Sequence, residues 1–220
     1  MSAGVFELGS DPYMDEGALS AGHESAALPA ALLRKCYALC VSTIEVRKNH
    51  RTLYHAWDEC IRSKRVDSER DRLVFLGRRG WGVDDLLREI ENNPATRGTI
   101  IIIDNADDNV LDAVYRNCAF AVLPSYYEGY GLPLAEALRY CVPCLTSDRG
   151  SLSEVGGNLV LRLDPNDTPG WAREISRLLR SPDELVGWTE RIRTQHVPMT
   201  WDRSAQQFYS AVKAGARSQS

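Results

Sequence analysis

No stretch of the 220 residues approaches the ~18 consecutive apolar positions of a membrane-spanning helix, and the start lacks the basic-then-apolar pattern of a signal peptide. Neither sign of charge dominates. The 26 Lys and Arg against 30 Asp and Glu leave a net charge of −4, which argues against a chain-wide surface for nucleic acid or anionic lipid. There is no internal repeat and no low-complexity block. The six cysteines, Cys36, Cys40, Cys60, Cys118, Cys141 and Cys144, are scattered through apolar contexts and read as reduced core thiols of a cytoplasmic protein. Cys141 and Cys144 form a C-x-x-C, but neither a helix start nor a second ligand pair accompanies them, so a core role is expected and no metal. The remaining composition, 44% hydrophobic and 25% charged, is that of a soluble globular protein long enough to bury a core.

The pattern along the chain is regular. Residues 1–30, rich in Gly, Ser, Ala, Asp and Glu, read as a loose lead-in. A main domain is expected over 31–198, then a last helix and tail over 199–220. Apolar runs at 36–43, 72–77, 98–104, 119–125, 141–147 and 158–165 read as strands. Between them lie helical patterns, among them HRTLYHAWDECIRSK, VDDLLREIENN ended by Pro94, and DNVLDAVYRNC with Leu111, Val114 and Tyr115 on one face. Further helices are expected near 168–180, 182–195 and 200–214. Continuously apolar strands alternating with amphipathic helices imply a doubly wound α/β domain, a parallel sheet covered on both faces. Such sheets bind ligands beyond the carboxyl ends of their strands.

One segment at such an edge is unusual. In YYEGYGLPLAEALRY, Glu128 lies in the loop after the fourth strand, Gly129 and Gly131 precede a helix with Pro133 in its first turn, and Glu136 follows within that helix. Glycines at a helix's positive end leave backbone amides open to an anion, most simply a phosphate. Carboxylates would repel that phosphate, but they suit hydroxyls on either side of it, and a molecule with hydroxyls flanking a phosphate is a nucleotide sugar. The plainer alternative makes Glu128 a loop charge and Glu136 a carboxylate favoured by the helix dipole. The first strand closes on the same edge with Glu45, Arg47, Lys48 and Asn49. Two adjacent cations there can clamp a diphosphate, or form an ordinary solvated turn.

These residues resemble a known family. EGYGLPLAEAL, with Glu128 and Glu136, is similar to the E-x7-E motif of retaining GT-B glycosyltransferases of glycosyltransferase family 4. STIEVRKNH resembles the phosphate-binding segment of its mannosyltransferase-rich branch. LVFLGRRGW, LDAVYRNCAFAVLPSYYEGYGLP and CVPCLTSDRGSLSEVGGNLVLRLDP follow in the family's order, from about Val41 to Pro165, with weaker similarity through TWDRSAQQFY.

The resemblance implies the donor-binding, Rossmann-like lobe of a GT-B enzyme that moves a hexose, mannose favoured, from a nucleotide sugar such as GDP-mannose to a glycan or lipid-linked acceptor in polysaccharide biosynthesis. No cofactor or metal is implied. Arg47 and Lys48 would hold the diphosphate and assist its departure, and Glu128 would contact the transferred sugar. Amides around Gly129, Tyr130, Gly131 and Leu132 would meet sugar and phosphate oxygens, and Glu136 would hold the ribose. The base would lie near Arg78 and Asp104 to Ala106. The departing phosphate would take the acceptor's proton, with no side-chain nucleophile. Ser151 and Glu154 resemble a family loop but suit helix capping.

The chain departs from the family pattern at Thr43, where many relatives carry arginine, and at Asp104, where relatives often place glycine. VFELGSDP resembles the linker into this lobe. The N-terminal acceptor lobe has no counterpart, so the partner expected is that lobe or a larger polypeptide, and any peripheral association with the inner membrane is expected through such an assembly. Of the histidines, His50 and His55 read as ordinary residues of the first helix. Two alternatives stay open: an inactive nucleotide-binding or assembly module, and another GT-B enzyme such as a sugar-nucleotide epimerase. A phosphorylase would need a pyridoxal lysine that is not apparent. A glycosidase would not need a phosphate cradle.

Overall fold

The computed structural model describes Gly9, residues 32–33 and residues 36–217, with side chains described to residue 213. The expected lead-in and the linker-like VFELGSDP therefore lie outside the described residues, apart from Gly9, which is buried against the backbone of Trp201.

Among the described residues, six strands form one sheet: β1 (Tyr37–Val41), β2 (Arg72–Leu76), β3 (Ile100–Ile103), β4 (Phe120–Leu123), β5 (Cys144–Ser147) and β6 (Leu161–Leu163). All pair in parallel, in the order β3-β2-β1-β4-β5-β6. This is the doubly wound, Rossmann-like arrangement, and it reverses direction between β1 and β4. The connecting helices are α1 (His50–Arg62), α2 (Asp84–Asn92), α3 (Asp108–Asn117), α4 (Leu132–Arg139) and α5 (Leu152–Gly156), followed by α6 (Thr168–Leu179), α7 (Pro182–Gln195) and α8 (Trp201–Arg217).

The apolar runs of β1, β2, β4 and β5 are buried because helices cover both faces of the central strands. β3 is equally apolar, IIII, but it forms the sheet edge and Ile102 is exposed. The core includes fully buried Trp57 on α1 and Trp171 on α6. The polar tips of large core residues find partners: the Tyr37 hydroxyl donates to the Val114 carbonyl at 2.7 Å, and the Trp57 indole donates to the Thr99 hydroxyl at 2.9 Å.

The structure shortens the expected strands, most at the starts of β5 and β6. The run from 141 begins as strand only at Cys144, because Cys141 has φ 56° and the amides of Cys141 and Val142 bond back to Leu138 and Ala137, closing α4. The run from 158 begins only at Leu161, because Leu159 still bonds back to Gly156 at the end of α5.

Candidate functional site

The loops after β1 and β4 leave the sheet on either side of the reversal point, and their charged residues meet there. Val46–Lys48 form one 3-10 turn. Asn49 then takes a left-handed conformation, φ 57°, which asparagine tolerates better than most residues, and α1 starts at once. The Asn49 side-chain amide donates to the carbonyls of Pro124 (3.1 Å) and Pro165 (2.9 Å), and its oxygen accepts from the Thr52 hydroxyl (2.9 Å). One buried side chain thus ties the cationic turn to the ends of β4 and β6. The Tyr126 amide, donating to the Arg47 carbonyl at 2.9 Å, makes a second tie.

Glu128 is the centre of the cluster. It is only 6% exposed. One oxygen, Oε1, accepts from Lys48 Nζ (2.6 Å) and the Ser125 hydroxyl (2.7 Å); the other accepts from Arg47 (3.2 Å). Three donors, two of them cationic, offset the cost of burying this carboxylate. Arg47 also donates to the Tyr127 carbonyl (2.8 Å) and to Glu45 Oε1 (2.8 Å). The two cations differ in freedom: the Lys48 side chain is 11% exposed and that of Arg47 41%.

A third loop, between β5 and α5, holds the backbone of Glu128. Ser147, at the end of β5, donates its hydroxyl to the Ser125 carbonyl at 2.6 Å. Ser151 precedes α5, but its hydroxyl makes no cap; it donates to the Glu128 carbonyl at 3.1 Å. This corrects the capping role suggested by sequence. Gly150, at φ 59°, comes so close that a Cβ would lie 2.9 Å from the Glu128 carbonyl oxygen.

α4 opens on Gly131, at φ 92°, with no side-chain cap and no acidic residue in its first turn. A Cβ on Gly131 would meet Leu152 of α5 at 2.8 Å, so glycine is required there by backbone and by packing. Its terminal amides and the helix dipole face the same edge as Arg47 and Lys48. Gly129 and Leu132 are exposed, and Tyr130 is partly so. Glu136 lies one turn into α4 and accepts from the Tyr115 hydroxyl at 3.2 Å. Burial raises its pKa above the usual carboxylate range, the bond from Tyr115 opposing. Arg78 and Asp104 sit exposed beyond β2 and β3 on this edge, Ala106 partly covered.

His50, the first residue of α1, lies beneath the cluster. It is 1% exposed, with Nε2 3.4 Å from the Ser42 hydroxyl and 3.6 Å from Cys40 Sγ. Burial, then the Lys48 charge, lower its pKa to about 3, so it is a neutral imidazole. Among the described residues, no group of three or more His, Cys, Asp or Glu side chains is arranged to hold a metal ion.

The arrangement thus brings together Arg47, Lys48, Glu128 and the α4 terminus, with Glu136 a turn deeper. Ser125, Ser147, Gly150 and Ser151, which hold Glu128 directly or through Ser125, were not expected from sequence as parts of the site; for the last three the segment SDRGSLSE was the signal, and Ser125 lies just before YYEGYG. Chemically, the edge offers a partly exposed cation, a largely covered one and the positive end of a helix for an anion, and carboxylates for hydroxyls.

The family model described as "Glycosyl transferases group 1" matches residues 30–195. The O-antigen chain mannosyltransferase B of Escherichia coli is 33% identical over 177 residues, 80% of this chain and 45% of that protein. A serotype-specific mannosyltransferase WbdA of Escherichia coli is 29% identical over 152 residues, 68% of this chain and 18% of that protein. The crystal structure of TarM superposes with a TM-score of 0.67 at 14% identity, over 86% of this chain and 37% of that one. Sucrose-phosphate synthase from Thermosynechococcus elongatus superposes with a TM-score of 0.66 at 23% identity, over 87% and 47%. Those two likenesses bear on the fold. The chain spans less than half the length of each of these proteins.

Proposed function

The chain belongs to the group 1 glycosyl transferases, and from that membership we propose that it is the donor-binding lobe of a retaining hexosyltransferase, with GDP-mannose as donor and a glycan or lipid-linked acceptor. The observation that carries the reading is the convergence of Arg47, Lys48 and the uncapped start of α4 around Glu128 at the sheet's reversal point. Two cations and a helix terminus suit a diphosphate, and the two carboxylates suit the hydroxyls at its ends. The mannosyltransferases among the relatives favour mannose.

In this reading Arg47 and Lys48 grip the diphosphate and stabilise the charge that grows on it as the sugar leaves. Amides of Gly129, Tyr130, Gly131 and Leu132 meet sugar and phosphate oxygens. Glu128 orients the sugar, and Glu136 accepts from the ribose hydroxyls. The bond between the anomeric carbon and the phosphate oxygen breaks, the acceptor oxygen adds on the same face, and the departing phosphate takes its proton. An acceptor lobe from the rest of a longer polypeptide, working in the cytoplasm, completes the cleft. No described helix is long and apolar enough to cross a membrane.

Calorimetric titration with GDP, UDP and ADP, each beside its sugar conjugate, tests the proposal. Binding of GDP and GDP-mannose that disappears in Arg47→Ala/Lys48→Ala is the expected outcome; binding unaffected by that double change would sink it.

A further inference from the structure

Glu45 has no part in the scheme above, yet it holds the residue on which the scheme depends. Its carboxylate accepts from Arg47 at 2.8 Å, and its side chain is only 15% exposed. Its position is firmly set. The neighbouring Ile44 donates its amide to Arg78 at 2.8 Å and accepts from Gly80 at 2.8 Å, extending the β1–β2 ladder past the strand ends, and the Glu45 carbonyl accepts from Lys48 at 3.0 Å. The four charges Glu45, Arg47, Lys48 and Glu128 sum to zero. Lys48 is buried against Glu128, whereas the Arg47 side chain is 41% exposed. Arg47 is therefore the cation able to leave the cluster, and its departure would strand Glu45 beside whatever Arg47 turns to.

Resting on the donor-lobe reading, we propose that Glu45 is a positioning residue that parks Arg47 between turnovers and drives release of the nucleotide product. In a sugar nucleotide the terminal phosphate, joined to the sugar by an ester and to the inner phosphate by an anhydride, carries one charge. Transfer breaks the bond from the anomeric carbon to the phosphate oxygen, leaving that oxygen on the nucleoside diphosphate. The acceptor's proton, taken up first by that oxygen, passes to water above the phosphate's second pKa near ~6, so the product carries about one more negative charge than the donor did. Glu45 repels that extra charge and offers Arg47 a competing partner. The same contact that weakens donor binding slightly therefore weakens product binding more, in proportion to charge.

The test is calorimetric titration of the chain, Glu45→Gln and Glu45→Asp with GDP and GDP-mannose at a pH well above the phosphate's second pKa. Glu45→Gln should tighten GDP by about tenfold and GDP-mannose by about threefold, as expected for removing a partly screened charge near the phosphates. Glu45→Asp should stay near the parent, since it restores the charge. A role confined to holding the loop in shape would weaken both ligands equally, and that result, or an unchanged GDP to GDP-mannose ratio in Glu45→Gln, overturns the proposal. Failure of the parent chain to bind either ligand would instead overturn the donor-lobe reading, and this proposal with it.

Discussion

Replacing Asn49 with alanine should be among the most damaging single changes near the site, though Asn49 is expected to touch no substrate. Its side-chain amide supplies hydrogen bonds to the Pro124 and Pro165 carbonyls at 3.1 and 2.9 Å. Losing two such buried bonds costs about 2 kcal/mol. Alanine at φ 57° adds roughly 1 kcal/mol, since a Cβ disfavours the left-handed region and asparagine suffers less from it. The sum, about 3 kcal/mol, is a large fraction of the ~5–15 kcal/mol that holds a domain folded. With a urea dependence of about 3 kcal/mol per molar, the unfolding midpoint should fall by about 1 M. Asn49→Gly separates the two contributions, because glycine accepts this φ without strain; it should recover about 1 kcal/mol of the loss. A loss below ~1 kcal/mol in Asn49→Ala would refute the reasoning, as would equal losses in the alanine and glycine variants.

Gly150→Ala should cost about 2 kcal/mol through its positive φ and the approach of its Cβ to the Glu128 carbonyl, and should abolish nucleotide binding; thermal unfolding and titration check both parts. Glu136→Gln should raise the urea midpoint at neutral pH, because burial disfavours the charged carboxylate, while nucleotide affinity falls about tenfold with the loss of a charged acceptor. Buried His50 gives stability a pH dependence of definite sign. Its pKa is about 3 folded against 6.5 unfolded, so between those values the unfolded chain binds more protons and stability falls as pH falls, by at most about 1.4 kcal/mol per pH unit. Glu136, held above the ordinary carboxylate range, contributes in the opposite sense. Urea midpoints from pH 6.5 down to pH 4.5 should therefore drop less steeply in His50→Gln than in the parent, and parallel profiles would contradict the assignment.

The parallel sheet was readable from sequence because each central strand is a short apolar run and α1, α2, α3 and α6 each carry a strong apolar face. Its ends were less readable. Cys141 to Pro143 look like the start of β5 by hydrophobicity alone, but the closure of α4 uses the amides of Cys141 and Val142. Within the site, the glycine-rich helix start with Glu128 and Glu136, and the cation pair with Glu45, each stand in a recognisable motif. What the motifs could not convey is mutual satisfaction. Arg47 and Lys48 are 81 and 80 residues from Glu128, and nothing local reveals that they neutralise it. The support from Ser151 and Gly150 was hidden for a related reason: a serine before a short helix ordinarily reads as its cap, and only the folded chain shows its hydroxyl turned to the Glu128 carbonyl. His50 reads as a helix residue, and the burial that holds it neutral comes from β1 and β2 packing beneath it.

The most direct test of the central claim, that the edge between the β1 and β4 loops is a sugar-nucleotide site, is amide chemical-shift mapping of the isotope-labelled chain titrated with GDP-mannose. The account predicts saturable shifts concentrated at residues 45–49, 125–132 and 150–151 and at Glu136. Saturable shifts confined to the α6 and α7 side of the molecule, or none at any concentration, would contradict it.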